Sequence, residues 1–236
     1  MTFANWQVVI LAFVFLLQYF FEHIFPQDRK LNEWKNERFN VLVGIANLVL
    51  TYFPSALLIY LLAFIDKNNI GLLQQFEIPF WLELTLTLLF LDAWMYAWHR
   101  FNHVVPFFWK FHRFHHKDEK MNSTTAIRFH IVELLLSLPG KAVIYTVTGV
   151  AFTPVLIYEL LLFISIVVHH SNIYITEKAD NLYRLLFASP LMHRIHHSRK
   201  KEERDSNYGS LFSFWDRLFG SWKRKPDTAI VFGVEE

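Results

Sequence analysis

The chain has 236 residues, of which 53% are hydrophobic and 18% aromatic, with 25 Phe, 12 His and no Cys. So apolar a composition, with a mean hydropathy of +0.24, points to several membrane spans rather than a soluble globule. A net charge of +2, with the basic residues separated by apolar runs, argues against a nucleic-acid partner. The missing thiols exclude disulfides, thiolate zinc sites and iron–sulfur clusters.

Taken in chain order, the first apolar run extends from Phe3 to Phe25 and stops at Pro26. It matches the roughly 20 residues that cross a bilayer and lacks the basic start of a secretory signal, so it is expected to be a retained span. A second run covers Phe39 to Ile65 and tolerates Pro54 as a kink. The third, Ile78 to Trp98, carries Glu83 and Asp92 and is therefore not plain lipid-facing hydrocarbon. Two later runs, Ile131 to Val150 and Pro154 to Val168, are expected to form a hairpin. Its first leg is broken by Pro139, Gly140 and Lys141, so it either spans or re-enters, with Lys141 snorkelling. Near the end, Leu211, Phe212, Phe214, Trp215, Leu218, Phe219 and Trp222 alternate with polar residues. That pattern suits either an interfacial amphipathic helix or a segment packed on the chain's own core.

Positive charge orients this map. Arg29, Lys30, Lys35 and Arg38 follow the first run, whereas only Lys67 follows the second. The stretch after the third run is again basic, as is the tail with Arg194, Arg199, Lys200, Lys201 and Arg204. These segments are expected on the cytoplasmic side. The fold expected is an all-α integral membrane protein with four to five transmembrane or re-entrant helices and a cytoplasmic histidine-rich helical cap. An N-terminal transmembrane hairpin, 1–75, would precede an integrated unit at 76–236.

Eleven of the twelve His fall between His99 and His197, all at what this topology makes one membrane face. His99 and His103 form an i, i+4 pair on one helix face. His112, His115 and His116 stand at i, i+3 and i+4, and His193, His196 and His197 repeat that spacing. On helices, each group aims two or three imidazoles at one point. Clustered imidazoles without a metal repel one another when protonated and cost desolvation when neutral. One metal takes about four to six ligands, so eight to ten convergent His suffice for two. A single His on an apolar face is ordinarily structural, and His23 is read that way.

Arranged in this order, these segments resemble the fatty acid hydroxylase/sterol desaturase family of integral membrane oxygenases. The resemblance runs from Asp92, Tyr96, His99 and His103 through Trp109, His112, His115 and His116. It continues over Arg128, His130 and Glu133, then His169 to Asn172. It closes on Ser189 to Ser198, Asn207 to Gly209 and Trp215 to Gly220. The first 75 residues match only in being hydrophobic.

The resemblance implies that His99, His103, His112, His115, His116, His193, His196 and His197 ligate two irons, with O2 as co-substrate and zinc as the alternative metal. It adds His130 and one of His169 and His170, which point about 100° apart on a helix. Asp92, two turns before His99, and Glu133, three residues after His130, are expected to partner metal-bound imidazoles. Tyr96 would line the pocket or pack, and Asn207 and Asp216 would fix the tail beneath the site.

The implied activity is O2-dependent hydroxylation, or less often desaturation, of a fatty acyl chain, sterol or related membrane lipid. Its reductant would be a separate donor, cytochrome b5-like or a ferredoxin with its reductase, and its location a bacterial inner membrane. The rival readings are a zinc-assisted membrane hydrolase using Glu133 as base and a non-catalytic metal- or lipid-binding protein.

Overall fold

A computed structural model describes residues 3–234, with side chains from Val9 onward. The described chain is helical, with three isolated antiparallel bridges and no named strand. Helix α1 (Phe3–Ile24) and helix α2 (Trp34–Lys67) form the N-terminal pair. Helix α3 (Phe80–Val104) leads into the short helix α4 (Pro106–His116). Helix α5 (Ile131–Thr148) and helix α6 (Phe152–His170) form a second hairpin. Four small helices complete the cap: α7 (Glu177–Tyr183), α8 (Pro190–His196), α9 (Lys201–Arg204) and α10 (Phe214–Leu218).

Among the described residues, four helices, α2, α3, α5 and α6, are long and apolar enough to cross a membrane. The leg through Pro139, Gly140 and Lys141 is a continuous helix of 18 residues, or about 27 Å, the length that spans. Lys141 does not snorkel to a surface; its ammonium donates to Glu159 at 2.6 Å, and Tyr145 donates to the same carboxylate oxygen at 3.0 Å. Large apolar side chains cover the outside of α1 and α2, Leu48 being 71% and Tyr52 75% exposed. In water such a surface would drive aggregation, whereas in a bilayer it is the solvated face.

Beneath the cap, Leu62, Leu91, Tyr145, Val155, Tyr158 and Leu162 form the core where α2, α3, α5 and α6 meet. The α5–α6 turn closes at Gly149, whose φ of +67° is left-handed. A side chain there would also collide with the Ile70 carbonyl at 2.6 Å, where the α2–α3 loop crosses.

Polar anchors tie the N-terminal pair to the cap. Glu22, fully buried near the end of α1, accepts from the Ser123 hydroxyl and from the Ser123 and Asn172 backbone N–H groups. Asn36 and Asn40 of α2 donate to Asp118, which also accepts from Thr125. His23, read as structural, shares its ring nitrogens between the Tyr19 carbonyl and Glu37.

The aromatic tail packs on the chain's own core. Leu211 is buried in it, and α10 is only five residues long. Leu218 and Phe219 remain exposed.

Candidate metal centre

Two helix ends and two short helices converge beneath the cap. The last turns of α3 and α6 carry His99, His103, His169 and His170. Helix α4 starts at Pro106, whose fixed φ suits a first helical position, and lies across them with its His on the inner face. Helix α8 is set from its start: the Ser189 hydroxyl caps the Met192 N–H, and buried Asp180 takes the Ser189 hydroxyl and the Leu191 N–H. Arg194, on the opposite side of α8, donates to the Ser171 and Ile173 carbonyls.

The imidazoles separate into two buried groups. His99, His103, His112, His116 and His196 form one, and His115, His170, His193 and His197 the other. Within each, one ring nitrogen per residue lies within 4.8 Å of all the rest. The groups share a wall, for the rings of His116 and His197 stack at 4.2 Å.

Spacing suggested that each HxxHH triplet aims two or three of its imidazoles at one point. In the structure both triplets divide. His112 and His116, one turn apart, face the first group and His115 the second, while His193 and His197 face the second and His196 the first. Positions i and i+4 share a helix face and i+3 is rotated away from them, so a helix lying between two sites serves both.

The tautomers follow from the outer partners. His99 pairs its Nδ1 with the Tyr208 carbonyl at 2.8 Å, His196 with that of Ser206 at 2.7 Å, and His115 with that of Arg128 at 3.1 Å. His170 does the same with Ile166 at 2.7 Å, and His112 with the Glu133 carboxylate at 2.8 Å. A carbonyl or carboxylate accepts, so these rings carry hydrogen on Nδ1 and a bare lone pair on Nε2. The Nε2 atoms of His103, His112, His116, His196 and His197 are buried without any donor. In the second group the Nε2 atoms of His115 and His170 lie 3.0 Å apart. Two lone pairs at that distance repel, and a cation between them removes the conflict. About 3 Å is also the separation of neighbouring imidazoles bound at about 2.1 Å.

Burial, reinforced by neighbouring imidazoles, holds His116, His193, His196 and His197 well below the usual His range, and likewise His115. Neutral rings are the form that ligates. The donor set is nitrogen-rich, free of thiolate and buried, and it fits two borderline divalent metals such as iron or zinc.

Other expected site residues fall differently. His130 stands outside both groups: its Nδ1 accepts from the Val132 N–H as the cap of α5, and its ring packs on Phe111. His169 also stands outside; its ring lies 3.9 Å from that of His193, while its neighbour His170 turns into the second group. Glu133 takes the expected place, accepting from both His112 and Asn102.

Asp92 does not. It accepts from the Leu211 and Phe212 N–H groups, from Trp215 Nε1 and from the Tyr158 hydroxyl. The position expected for it beside His99 is filled by the Tyr208 carbonyl, so Asp92 clamps the tail instead. Tyr96 is buried and pairs with Ser221 at 2.7 Å while stacking on Phe219. It too secures the tail rather than lining a cavity beside the metal groups. Asp216 accepts from the Tyr208 and Gly209 N–H groups and from Ser221, which aims Tyr208 at His99, His103 and His196.

Asp205, not singled out from sequence, and Trp109, given no role there beyond the resemblance, also reach the site. Asp205 lies 3.4 Å from His103 Nδ1, and Trp109 packs on three histidines of the first group. The place of Trp109, one turn before His112 and two turns before His116, is the signal in the sequence.

A cavity of about 40 Å³ opens beside both groups, with Met95, Phe129 and Ile166 in its apolar wall.

The family model described as fatty acid hydroxylase matches residues 84–221, more than half of the chain. Ornithine lipid hydroxylase OlsE of Rhizobium tropici is 26% identical over 216 residues, 87% of this chain and 63% of that protein. Alkylglycerol monooxygenase of Caenorhabditis elegans is 31% identical over 150 residues, 62% of this chain and 28% of its own length. Sphinganine C4-monooxygenase 1 of Arabidopsis thaliana is 26% identical over 157 residues, 65% of this chain and 56% of that protein. The chain thus spans less than two thirds of each of these relatives. No solved structure matches it.

Proposed function

The chain belongs to the fatty acid hydroxylase family, and from that premise we propose that it is an O2-dependent oxidase of a membrane lipid. Two irons would occupy the two histidine groups, with His99, His103, His112, His116 and His196 holding one and His115, His170, His193 and His197 the other. The observation that carries this reading is the pair of adjacent buried groups whose Nε2 lone pairs face one another with no donor between them. The irons supply the reductive use of O2, so that a C–H bond becomes C–OH, the second oxygen leaves as water, and two electrons and two protons are consumed.

The protein's own residues set up that chemistry. The Nδ1 partners fix the tautomer and direction of His99, His112, His115, His170 and His196. Glu133 holds His112 and, by its charge, makes that imidazole a stronger ligand. The Asp92 clamp and the Asp216 loop press Tyr208 over the first group and keep water from it. The apolar wall at Met95, Phe129 and Ile166 receives hydrocarbon and presents it from the bilayer side.

The relatives named above act on ornithine lipids, alkylglycerols and sphinganine, so the substrate proposed is a long-chain lipid with a polar head. The basic loops support a metal end that faces the cytoplasm, the membrane proposed is a bacterial inner membrane, and electrons would come from a separate carrier.

Metal analysis of the purified protein with an O2-uptake assay in the presence of reductant tests the reading. Two irons per chain with lipid-dependent O2 consumption are expected. Zinc required for activity without oxygen use would replace the reading with a hydrolase. His115→Ala/His196→Ala, which removes one ligand from each group, should lose both metal and activity.

A further inference from the structure

Next to the second histidine group in sequence, the segment Ser198–Arg204 and the returning chain near Val231 enclose a cleft of about 540 Å³. Its lining carries Arg199, Lys200, Lys201 and Arg204 against a single carboxylate, Glu202. Lys200 and Lys201 are exposed and take part in no ion pair among the described residues. The Ser198 floor of the cleft adjoins His197 in sequence, a member of the second histidine group.

The Arg204 wall leads to the first group. Its guanidinium carbon sits 4.5 Å over the Trp109 ring. That ring lies 5.2 Å from His103, 5.6 Å from His116 and 6.2 Å from His112, centroid to centroid. One half-buried indole therefore separates a cationic cleft from three imidazoles of a buried cage.

The geometry points to this cleft as the docking face for an acidic one-electron carrier, with Trp109 as the ring through which the electron passes inward. The inference rests on the oxidase reading above, whose reaction consumes two electrons. Each of two carriers in succession gives up one, and the carrier is a reduced protein of the [2Fe–2S] or haem class. The cleft favours a protein over a bilayer surface for two reasons. It is concave, and among the described residues its lining holds none of the Trp, Phe or Leu anchors that accompany cations on a membrane-binding face. The exposed Leu218, at the end of α10, and Phe219, just after it, do not line the cleft. Complementary charge raises the rate of encounter and orients the carrier, and a packed route from that face to the first histidine group runs through Arg204 and Trp109.

The test uses the iron-loaded full chain in detergent and a reduced acidic [2Fe–2S] ferredoxin as probe. Affinity is measured by calorimetry, and electron transfer by anaerobic stopped-flow absorbance. Lys200→Glu/Lys201→Glu should weaken binding by about tenfold or more at low salt, with the difference shrinking as salt rises. Lys67→Glu, in the loop at the opposite end of α2, should leave binding unchanged. Trp109→Leu should slow transfer within the bound pair without changing its affinity, and Trp109→Phe should restore part of the rate. Reduction by dithionite and iron content should be the same in the wild type and the lysine variant.

Equal ferredoxin binding and reduction in the wild type and the lysine variant would overturn the docking face. So would a wild type that dithionite reduces and ferredoxin does not. Loss of binding to phosphatidylglycerol vesicles with ferredoxin transfer intact would overturn it in favour of a membrane contact. A dithionite-reduced wild type that consumes no O2 with any lipid would instead overturn the oxidase reading, because that assay bypasses the carrier.

Discussion

Replacing Glu133 with Gln separates the two metal groups. Glu133 is 5% exposed, and its Oε1 accepts from His112 Nδ1 at 2.8 Å and from Asn102 at 3.3 Å. Gln keeps the size and one acceptor oxygen but removes the charge. A hydrogen bond to a charged group contributes about 1.5–3 kcal/mol, against about 1 kcal/mol for a neutral pair. The loss at His112 is therefore on the order of 1–2 kcal/mol, or about tenfold in metal affinity, in the range expected when an outer partner is removed. His112 ligates only the first group in this reading, so the second should keep its metal. Titration of the iron-loaded protein with a chelator, followed by metal counting, reads this directly. The wild type should release two metals in the same concentration range, and Glu133→Gln should release one of them about tenfold earlier. Equal weakening of both metals, or none, would refute the assignment of His112 to one group and of Glu133 to His112.

Asp92→Asn should destabilise the protein by about 2–3 kcal/mol, since a charged acceptor for four donors becomes a neutral one, and limited proteolysis should then cut near the 211–222 tail. Loss of metal with an intact, protected tail would contradict the clamp. Lys141→Met and Glu159→Gln should each cost about 3 kcal/mol by leaving a charge unpaired in the span, and the double variant should cost less than their sum; additive shifts in thermal unfolding would show no coupling. In the metal-free protein, His115, His116, His193, His196 and His197 have folded-state pKa values below their unfolded ones. The unfolded chain then binds more protons, so stability is present above pH about 6.5 and is lost as pH falls, by up to about 1.4 kcal/mol per unit for each such residue. Thermal unfolding of the apoprotein between pH 7.5 and 5.5 should show a steep fall, and a flat profile would mean that these rings are not held neutral.

Much of this architecture is visible in the primary structure because it depends on local periodicity. A bilayer demands apolar runs of a set length, and α2, α3, α5 and α6 are such runs. Helical spacing likewise groups His112 with His116 and His193 with His197, whatever the rest of the chain does. Partners distant in sequence are another matter. Asp92 lies two turns before His99 and looked like its partner, but the tail around Leu211 and Trp215, some 120 residues later, places backbone N–H groups against its carboxylate, and the Tyr208 carbonyl against His99. Glu22 sits in an apolar run, and its partner Ser123 is 101 residues away. The division of each HxxHH between two groups, the turning of His170 rather than His169 into the second, and the indole of Trp109 between the cleft and the cage follow from how α4 and α8 cross α3 and α6. Periodicity places a residue on a face of its own helix; the packing of helices far apart in the chain sets what that face meets.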